Sequence, residues 1–319
     1  MGNARNLADN LPVEGSLSER NLLINGAMQV FQRGTSFSGN SAYNADRWLV
    51  DNNGGSGGQS TDAPDGFTYS LKIDPSSGNA ALRQAIELPA AGEGGVFRSG
   101  QKFTLSFYVK SDNAGEAINI FAASGTNVSA TTTAQVSAQT IGTTTTSWVR
   151  HIFTFTSNNV AGSDTCYNIV PFVVSPSGAT YWTGLMLEKG EKATPYEHEP
   201  FATTLTKCER YFQTYSNRNW NGINEHAANY KMFVNGVFRQ KMRATPTGTF
   251  VGTVNVATPQ IGVNQRPNAF QGLSAEGFQM FRWPSSGTYG GQLGTYGDAK
   301  YYVVVGAGPT NRIDFDAEL

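Results

Sequence analysis

The sequence predicts an all-β chain: a jelly-roll-like antiparallel β-sandwich over residues 21–200, followed by a short helix and a second, smaller β domain over residues 201–319. Three observations predict it. Phe103, Leu105, Phe107 and Val109 fall on one side of an extended segment, and Thr104, Ser106, Tyr108 and Lys110 on the other. That is the two-residue alternation of a half-buried antiparallel strand. Short segments of this kind recur with turn residues between them and no helical segments interposed, which points to two packed antiparallel sheets rather than a parallel βαβ sheet. Of 319 residues only 15% are charged, while 36 are Gly, 19 Phe and 13 Tyr, a profile of many turns and uncharged polar faces. The length suffices for two domains with ordinary cores.

Residues 1–20 are polar and broken by the turn signals Asp9-Asn10-Leu11-Pro12 and Glu14-Gly15-Ser16. Alone they cannot bury enough surface to fold. They are read as an N-terminal attachment peptide, with a frayed tail as the plain alternative. Leu22, Leu23 and Ile24 start a strand, Asn25-Gly26 signals a tight turn or bulge, Met28, Val30 and Phe31 resume the strand, and Gly34 ends it. Trp48 is a core residue, with Asp46 and Arg47 as a local ion pair. Gly54 to Gly58 is a surface loop, because it lacks the Gly-Lys-Ser/Thr of a phosphate loop and the following helix of a dinucleotide fingerprint.

Phe67 to Ile73, Leu82 to Leu88 and Ile118 to Phe121 are strands. The dense threonines between Ala130 and Ser147 form a polar sheet face or long hairpin. Val149, His151, Phe153 and Phe155 share a face, as do Val170, Phe172 and Val174. Leu185 and Leu187 alternate with Met186 and Glu188. Gly190 ends that strand, and Pro195, which cannot donate to a ladder, takes the chain out of the sheet. From Phe201 the period changes: Leu205, Cys208 and Phe212 follow helical spacing, capped by Thr203 or Thr204. In the second domain Asn235-Gly236 reads as a hairpin turn, and Phe250 to Val256, Phe278 to Trp283 and Tyr301 to Val305 read as strands.

Two sets of segments carry a family resemblance. Asn21-Leu-Leu-Ile-Asn-Gly26, Gln29-Val-Phe-Gln-Arg-Gly34 and Tyr43 with Asp46-Arg47-Trp48 resemble the opening of a family of tailed-bacteriophage structural proteins, tail fibres and receptor-binding proteins. Leu185-Met-Leu-Glu-Lys-Gly190, Ala193-Thr-Pro-Tyr196 and Cys208-Glu-Arg-Tyr-Phe212 are similar to the exit from that family's domain. Met242-Arg-Ala-Thr-Pro-Thr247, Asp316-Ala-Glu-Leu319 and the leader Asn3-Ala-Arg-Asn-Leu7 resemble it too. The resemblance implies a virion protein made in the host cytoplasm, contacting other virion proteins through its N-terminal segment and host-surface glycans through its distal domain. Low charge and open strand edges favour a closed oligomer, and the threefold fibres of the resembling family select a homotrimer.

The chemistry of the sequence is sparse. A formal net charge of -1 speaks against a nucleic-acid partner. No apolar run approaches the ~20 residues of a membrane span, and none follows the N-terminal charge as in a signal peptide. Cys166 and Cys208 lack the spacing of a metal site or a disulfide framework and are read as two buried, unbonded thiols. His151, His198 and His226 form no zinc motif, and no nucleophile elbow is present. His151 is read as a core histidine. No cofactor or metal is expected.

Asp46, Glu87, Glu188, Glu276 and Asp298 are formally eligible as glycosidase carboxylates, but no motif selects a pair. Glu188 is eligible as a ligand of a structural Ca²⁺. Trp220, Tyr230, Trp283, Tyr289 and Tyr296 stand beside Gly, Asn and Ser in expected loops of the second domain. Aromatic faces beside amide groups suit stacking on sugar rings, so these five are the candidate glycan-binding residues; core or subunit packing is the plain alternative. The expectation is a non-enzymatic virion surface protein, a tail fibre or receptor-binding protein. A capsid decoration protein or head fibre is the alternative, and a polysaccharide depolymerase a further one.

Overall fold

The computed structural model describes residues 19–89, 95–216, 219–226, 231–252, 254–257, 269–282, 301–305 and 311–319. The chain divides into two compact units, Met1–Thr204 together with Leu319, and Leu205–Glu318.

The first unit is an all-β, jelly-roll-like sandwich. Its strands are β1 (Ser36–Ser38), β2 (Ala42–Tyr43), β3 (Leu49–Asp51), β4 (Ser56–Ser60), β5 (Ser70–Asp74), β6 (Ala80–Glu87), β7 (Lys102–Ser111), β8 (Ala117–Gly125), β9 (Thr131–Thr143), β10 (Val149–Thr156), β11 (Cys166–Val173) and β12 (Thr180–Lys189). One sheet has the order β1-β4-β5-β12-β7-β10 and the other β2-β3-β6-β11-β8-β9, with antiparallel neighbours throughout. The alternation read from β7 holds. Phe103, Leu105, Phe107 and Val109 face the core, where they meet Trp48, Leu71, Ile120, Tyr167, Trp182 and Leu187. Burying each large apolar side chain contributes about 1.5–3 kcal/mol. Phe97 stacks on Tyr167 at 4.0 Å and on Phe103 at 4.8 Å between ring centroids. Burial pushes the Tyr167 hydroxyl well above its ordinary pKa.

Several local expectations are corrected. Residues 22–34 form no strand. The side-chain amides of Asn21, Asn25 and Gln84, the Asp46 carboxylate and isolated backbone bonds, rather than a ladder, take up their backbone groups. Of the loop expected at Gly54 to Gly58, Gly54 and Gly55 lie outside the strands, but residues 56–58 belong to the strand Ser56–Ser60, whose glycines allow close packing: a Cβ on Gly57 would lie 2.2 Å from the Lys72 carbonyl oxygen and 2.7 Å from the Phe37 ring. Asp46 faces Arg33, with 3.7 Å between Oδ1 and Nη1, while Arg47 donates from Nη2 to the Ala85 carbonyl at 2.5 Å. Both cysteines are buried and are not disulfide-bonded.

Helix α1 (Phe201–Glu209) forms where the period changes. Its first turn closes on the Pro200 carbonyl, which accepts from Thr203 N at 3.0 Å and Thr204 N at 3.2 Å. Both threonines therefore lie inside the helix rather than capping it.

The second unit contains β13 (Phe212–Ser216), β14 (Asn219–His226), β15 (Lys231–Val237), β16 (Thr247–Val251), β17 (Val254–Ala257), β18 (Ala269–Gln271), β19 (Gly277–Arg282), β20 (Tyr301–Val305) and β21 (Arg312–Asp316). They form a three-stranded sheet, β13-β21-β16, and a six-stranded sheet, β17-β20-β14-β15-β19-β18. Phe315 stacks on Phe278 at 4.4 Å and meets Phe238 edge-on at 4.8 Å.

Asn235-Gly236 is not a turn. It lies within β15, opposite Gln279 and Phe278 of β19. Glycine is needed there because a Cβ would sit 2.2 Å from the Phe278 ring. The segment read as one strand from Phe250 to Val256 is divided between β16 and β17, which belong to different sheets, and Gly252 between them has φ +65°.

Candidate functional site

Two clusters of polar side chains stand out in the sandwich, one at its ends and one on an outer face. The first joins the opening and closing segments singled out in the sequence. Asn25 donates from Nδ2 to the carbonyls of Val30 (2.9 Å) and Asp46 (3.1 Å), and its Oδ1 accepts from the backbone N–H of Gln29 (2.9 Å) and Val30 (3.1 Å). The Trp48 indole donates to the Asn25 carbonyl at 3.1 Å.

From the closing segment, Leu185 N donates to the Gly26 carbonyl at 3.0 Å. Asn21 accepts from Leu187 N at 3.0 Å and donates to the Leu185 carbonyl at 3.1 Å. Glu197 accepts from the backbone of Arg20 (2.8 Å) and Asn21 (3.2 Å). Burial, then Glu199 and Glu197, pushes the Tyr196 hydroxyl far above its usual range. The cavity beside these residues measures about 10 Å³, room for a single water. This is a clasp that holds the two ends of the sandwich, not a ligand pocket.

The second place is the outer face of the sheet containing β7 and β12. Residues 190–200 run over part of this face. Thr194 donates to Glu188 from its backbone N–H (2.9 Å) and its hydroxyl (2.5 Å). The Glu188 carboxylate is thus engaged by protein donors. Arg150 donates from Nη2 to Ser106 Oγ at 2.9 Å and to the Thr194 carbonyl. Phe67 packs against Gly184, whose φ of +63° belongs to a bulge in β12. Its ring lies 5.5 Å from Tyr108, 5.0 Å from Tyr196 and 5.0 Å from His198.

Beyond this covered area the register aligns a partly exposed row. Tyr181 of β12 pairs with Lys72 of β5 on one side and Lys110 of β7 on the other. Val149 pairs with Val109, which brings Trp148, just before β10, beside Lys110. The Lys110 ammonium lies 4.8 Å from the Tyr181 ring centroid and 5.8 Å from that of Trp148, and Lys72 lies 5.8 Å from Tyr181.

Asp62 reaches the row from the connection between β4 and β5. Ser70 Oγ donates to its carbonyl at 2.6 Å, and its backbone N–H donates to Ser60 Oγ at 3.1 Å. Its carboxylate accepts from the Trp148 indole at 3.0 Å and forms an ion pair with Lys110. The Lys110 hydrogen bond, aided by the Trp148 indole and opposed by partial burial, holds the Asp62 carboxyl below the usual carboxylate range. The row therefore offers two aromatic rings with a donor and an acceptor between them, the combination that binds hydroxylated rings with apolar faces.

Of the five aromatic residues expected to bind glycan, Trp220 lies in β14 opposite Val303 of β20, in a strand rather than a loop. Tyr230, Trp283, Tyr289 and Tyr296 lie outside the described residues. Asp62, Lys72, Lys110, Trp148 and Tyr181 escaped the sequence reading. The available signal was an aromatic residue on the polar side of an alternating strand: Tyr181 beside the inward Trp182. Among the eligible carboxylates, Asp46 accepts from Gln32 (3.0 and 2.5 Å), and Glu276 pairs with Lys241 at 2.8 Å; Asp298 lies outside the described residues. His151 stacks on Phe107 at 5.9 Å, and burial lowers its pKa. Among the described residues no group of three His, Cys, Asp or Glu could hold a metal ion, and no helix is long and apolar enough to cross a membrane.

No protein-family model matches this chain, and no curated protein matches it. Solved structures share its shape in part. A family 16 carbohydrate-binding module is 16% identical, over 41% of this chain and 84% of that one, with a TM-score of 0.30. A CBM4 structure is 19% identical, over 52% and 98%, with a TM-score of 0.33. The enzymatically active domain of tailspike protein 4 of bacteriophage CBA120 is 14% identical, over 54% and 22%, with a TM-score of 0.33.

Proposed function

We propose that this protein is a non-enzymatic surface component of a tailed-phage virion, a tail fibre or receptor-binding protein that holds host-surface glycans. The observation that carries the binding role is the row on the sandwich: Tyr181 and Trp148 flanking the Lys110–Asp62 pair. Rings supply apolar contact to the C–H faces of a sugar, and the ion pair supplies hydrogen bonds to its hydroxyls. This proposed site lies in the first unit, whereas the sequence expectation fell in the second. The phage role is supported by the sequence resemblance, whose opening and closing segments are the two halves of the clasp. Asp62 does not suit the acid role of a glycosidase, which needs a raised pKa, because Lys110 lowers its pKa instead.

The test is binding of the purified chain to host cells and to their isolated surface polysaccharide. Replacing both Trp148 and Tyr181 by Ala should weaken binding about tenfold or more, the equivalent of about 1.4 kcal/mol. Unchanged affinity in the double variant would remove the row from the binding role. Release of reducing ends would make the protein a depolymerase. Labelled protein found in many copies on the phage head would make it a decoration protein.

A further inference from the structure

We infer that the Asp62–Lys110 pair reads a vicinal diol of a neutral sugar. One hydroxyl donates to the Asp62 carboxylate, and its neighbour accepts from the Lys110 ammonium. The inference rests on the reading of the row as a glycan site and specifies what that site takes.

The argument is one of hydrogen-bonding capacity. An ammonium has three donors and a carboxylate about four acceptor positions. In the row, Asp62 receives one bond from Lys110 and one from the Trp148 indole. Donors therefore remain on Lys110 and acceptors on Asp62. The Asp62 side chain is 45% exposed and that of Lys110 18%, so both can be reached from outside. The indole N–H is engaged, and Trp148 offers only its ring. A pair that presents one acceptor beside one donor matches two adjacent hydroxyls, each of which can serve either role.

Charge argues against an acidic sugar. Lys110 is already neutralised by Asp62. Asp74 lies on the same side of β5 as Lys72, two residues along. Asp112 lies two residues beyond Lys110, with its carboxylate accepting from Ala179 N at 3.1 Å. A uronate or sulfate at the pair would sit against the Asp62 carboxylate, whose partner Lys110 is already neutralised; Lys72, 5.8 Å from the Tyr181 ring, is the other ammonium of the row, and the acidic polymer in the test below reads its effect. An N-acetyl group in place of one hydroxyl would remove half of the diol.

The test measures binding of the full chain to dextran, galactan and mannan as neutral polymers, to polygalacturonate as an acidic one, and to chitin oligosaccharides as N-acetylated ones. The expected result is binding to at least one neutral polymer, unaffected by salt and abolished by prior periodate cleavage of its vicinal diols. Asp62→Asn keeps an acceptor for the indole but loses the paired charge, and Lys110→Met keeps the stem but loses the donors. Each should weaken binding at least tenfold. Preference for polygalacturonate or chitin, with loss in Tyr181→Ala but none in Asp62→Asn or Lys110→Met, would overturn the diol inference and leave the glycan site standing. Binding to none of the polymers would overturn both.

Discussion

Replacing Gly26 by Ala should loosen the clasp and lower the stability of the whole sandwich. The added Cβ would lie 2.0 Å from the Leu185 carbonyl oxygen and 3.1 Å from the Tyr196 hydroxyl. Leu185 is the buried end of a β12 bulge, so the clash is with backbone and cannot be relieved by turning a side chain. To restore van der Waals separation the segments must part by roughly 1 Å. That movement takes the Leu185 N to Gly26 O bond, now 3.0 Å, and the Asn21 Nδ2 to Leu185 O bond, now 3.1 Å, out of hydrogen-bond range. Two weakened bonds plus overpacking amount to about 3 kcal/mol.

Urea unfolding followed by tryptophan fluorescence, to which buried Trp48 and Trp182 contribute, measures the effect. With an m-value near 3 kcal/mol/M, the midpoint should fall by about 1 M at unchanged slope. Gly100→Ala is the control. Gly100 has φ +80° with nothing within 4 Å of an added Cβ, so only backbone strain of about 1 kcal/mol applies. Equal losses in the two variants, or a Gly26→Ala loss below about 0.5 kcal/mol, would refute the clasp.

Gly236→Ala should destabilise the second unit by about 1–3 kcal/mol, because the methyl meets the Phe278 ring at 2.2 Å; its effect should appear in the amide exchange of β15 and β19 and not in that of β7. Asp62 has a folded pKa below its ordinary 3.8, so its contribution to stability is present above the unfolded value and is lost as pH falls through the folded one. The Trp148 indole proton resonance should accordingly move with a midpoint below 3.8, and a midpoint at or above that value would show that the Lys110 contact is absent in solution. Light scattering of the purified chain at micromolar concentration should give a trimer with little salt dependence, and a mass of 34.3 kDa would refute self-association.

The strands whose two sides differ in chemistry were legible. β7 alternates apolar and polar residues, and the helix at Phe201 announced itself by a change of period. Residues 22–34 misled because their apolar pattern resembles a strand, while the Asn25 side chain ties them to Gln29, Val30 and Asp46 and the Asn21 side chain ties their start to Leu185 and Leu187, far along the chain. Asn235-Gly236 has the composition of a turn, yet the glycine serves a cross-strand phenylalanine that no local pattern reveals. The row of Tyr181, Trp148, Lys110 and Lys72 was illegible for a related reason. Lys72, Lys110, Trp148 and Tyr181 come from four separate segments, and only the register of β5, β12, β7 and β10 sets them side by side. The acceptor between the rings arrives on a loop, where no periodicity exists to read.

The clasp also decides how the sandwich would carry mechanical load. The chain enters at Arg20 and leaves at Glu197, and these two points are bonded to each other. Tension along the backbone would therefore act first on the Arg20, Asn21 and Leu22 contacts with Glu197 and Leu187. While they hold, force passes across the base of the domain instead of drawing β3 or β12 out of its sheet. A glycan held on Tyr181 and Trp148 would stay bound to an undistorted face during a pull, and extension of the domain would begin only after the clasp had given way.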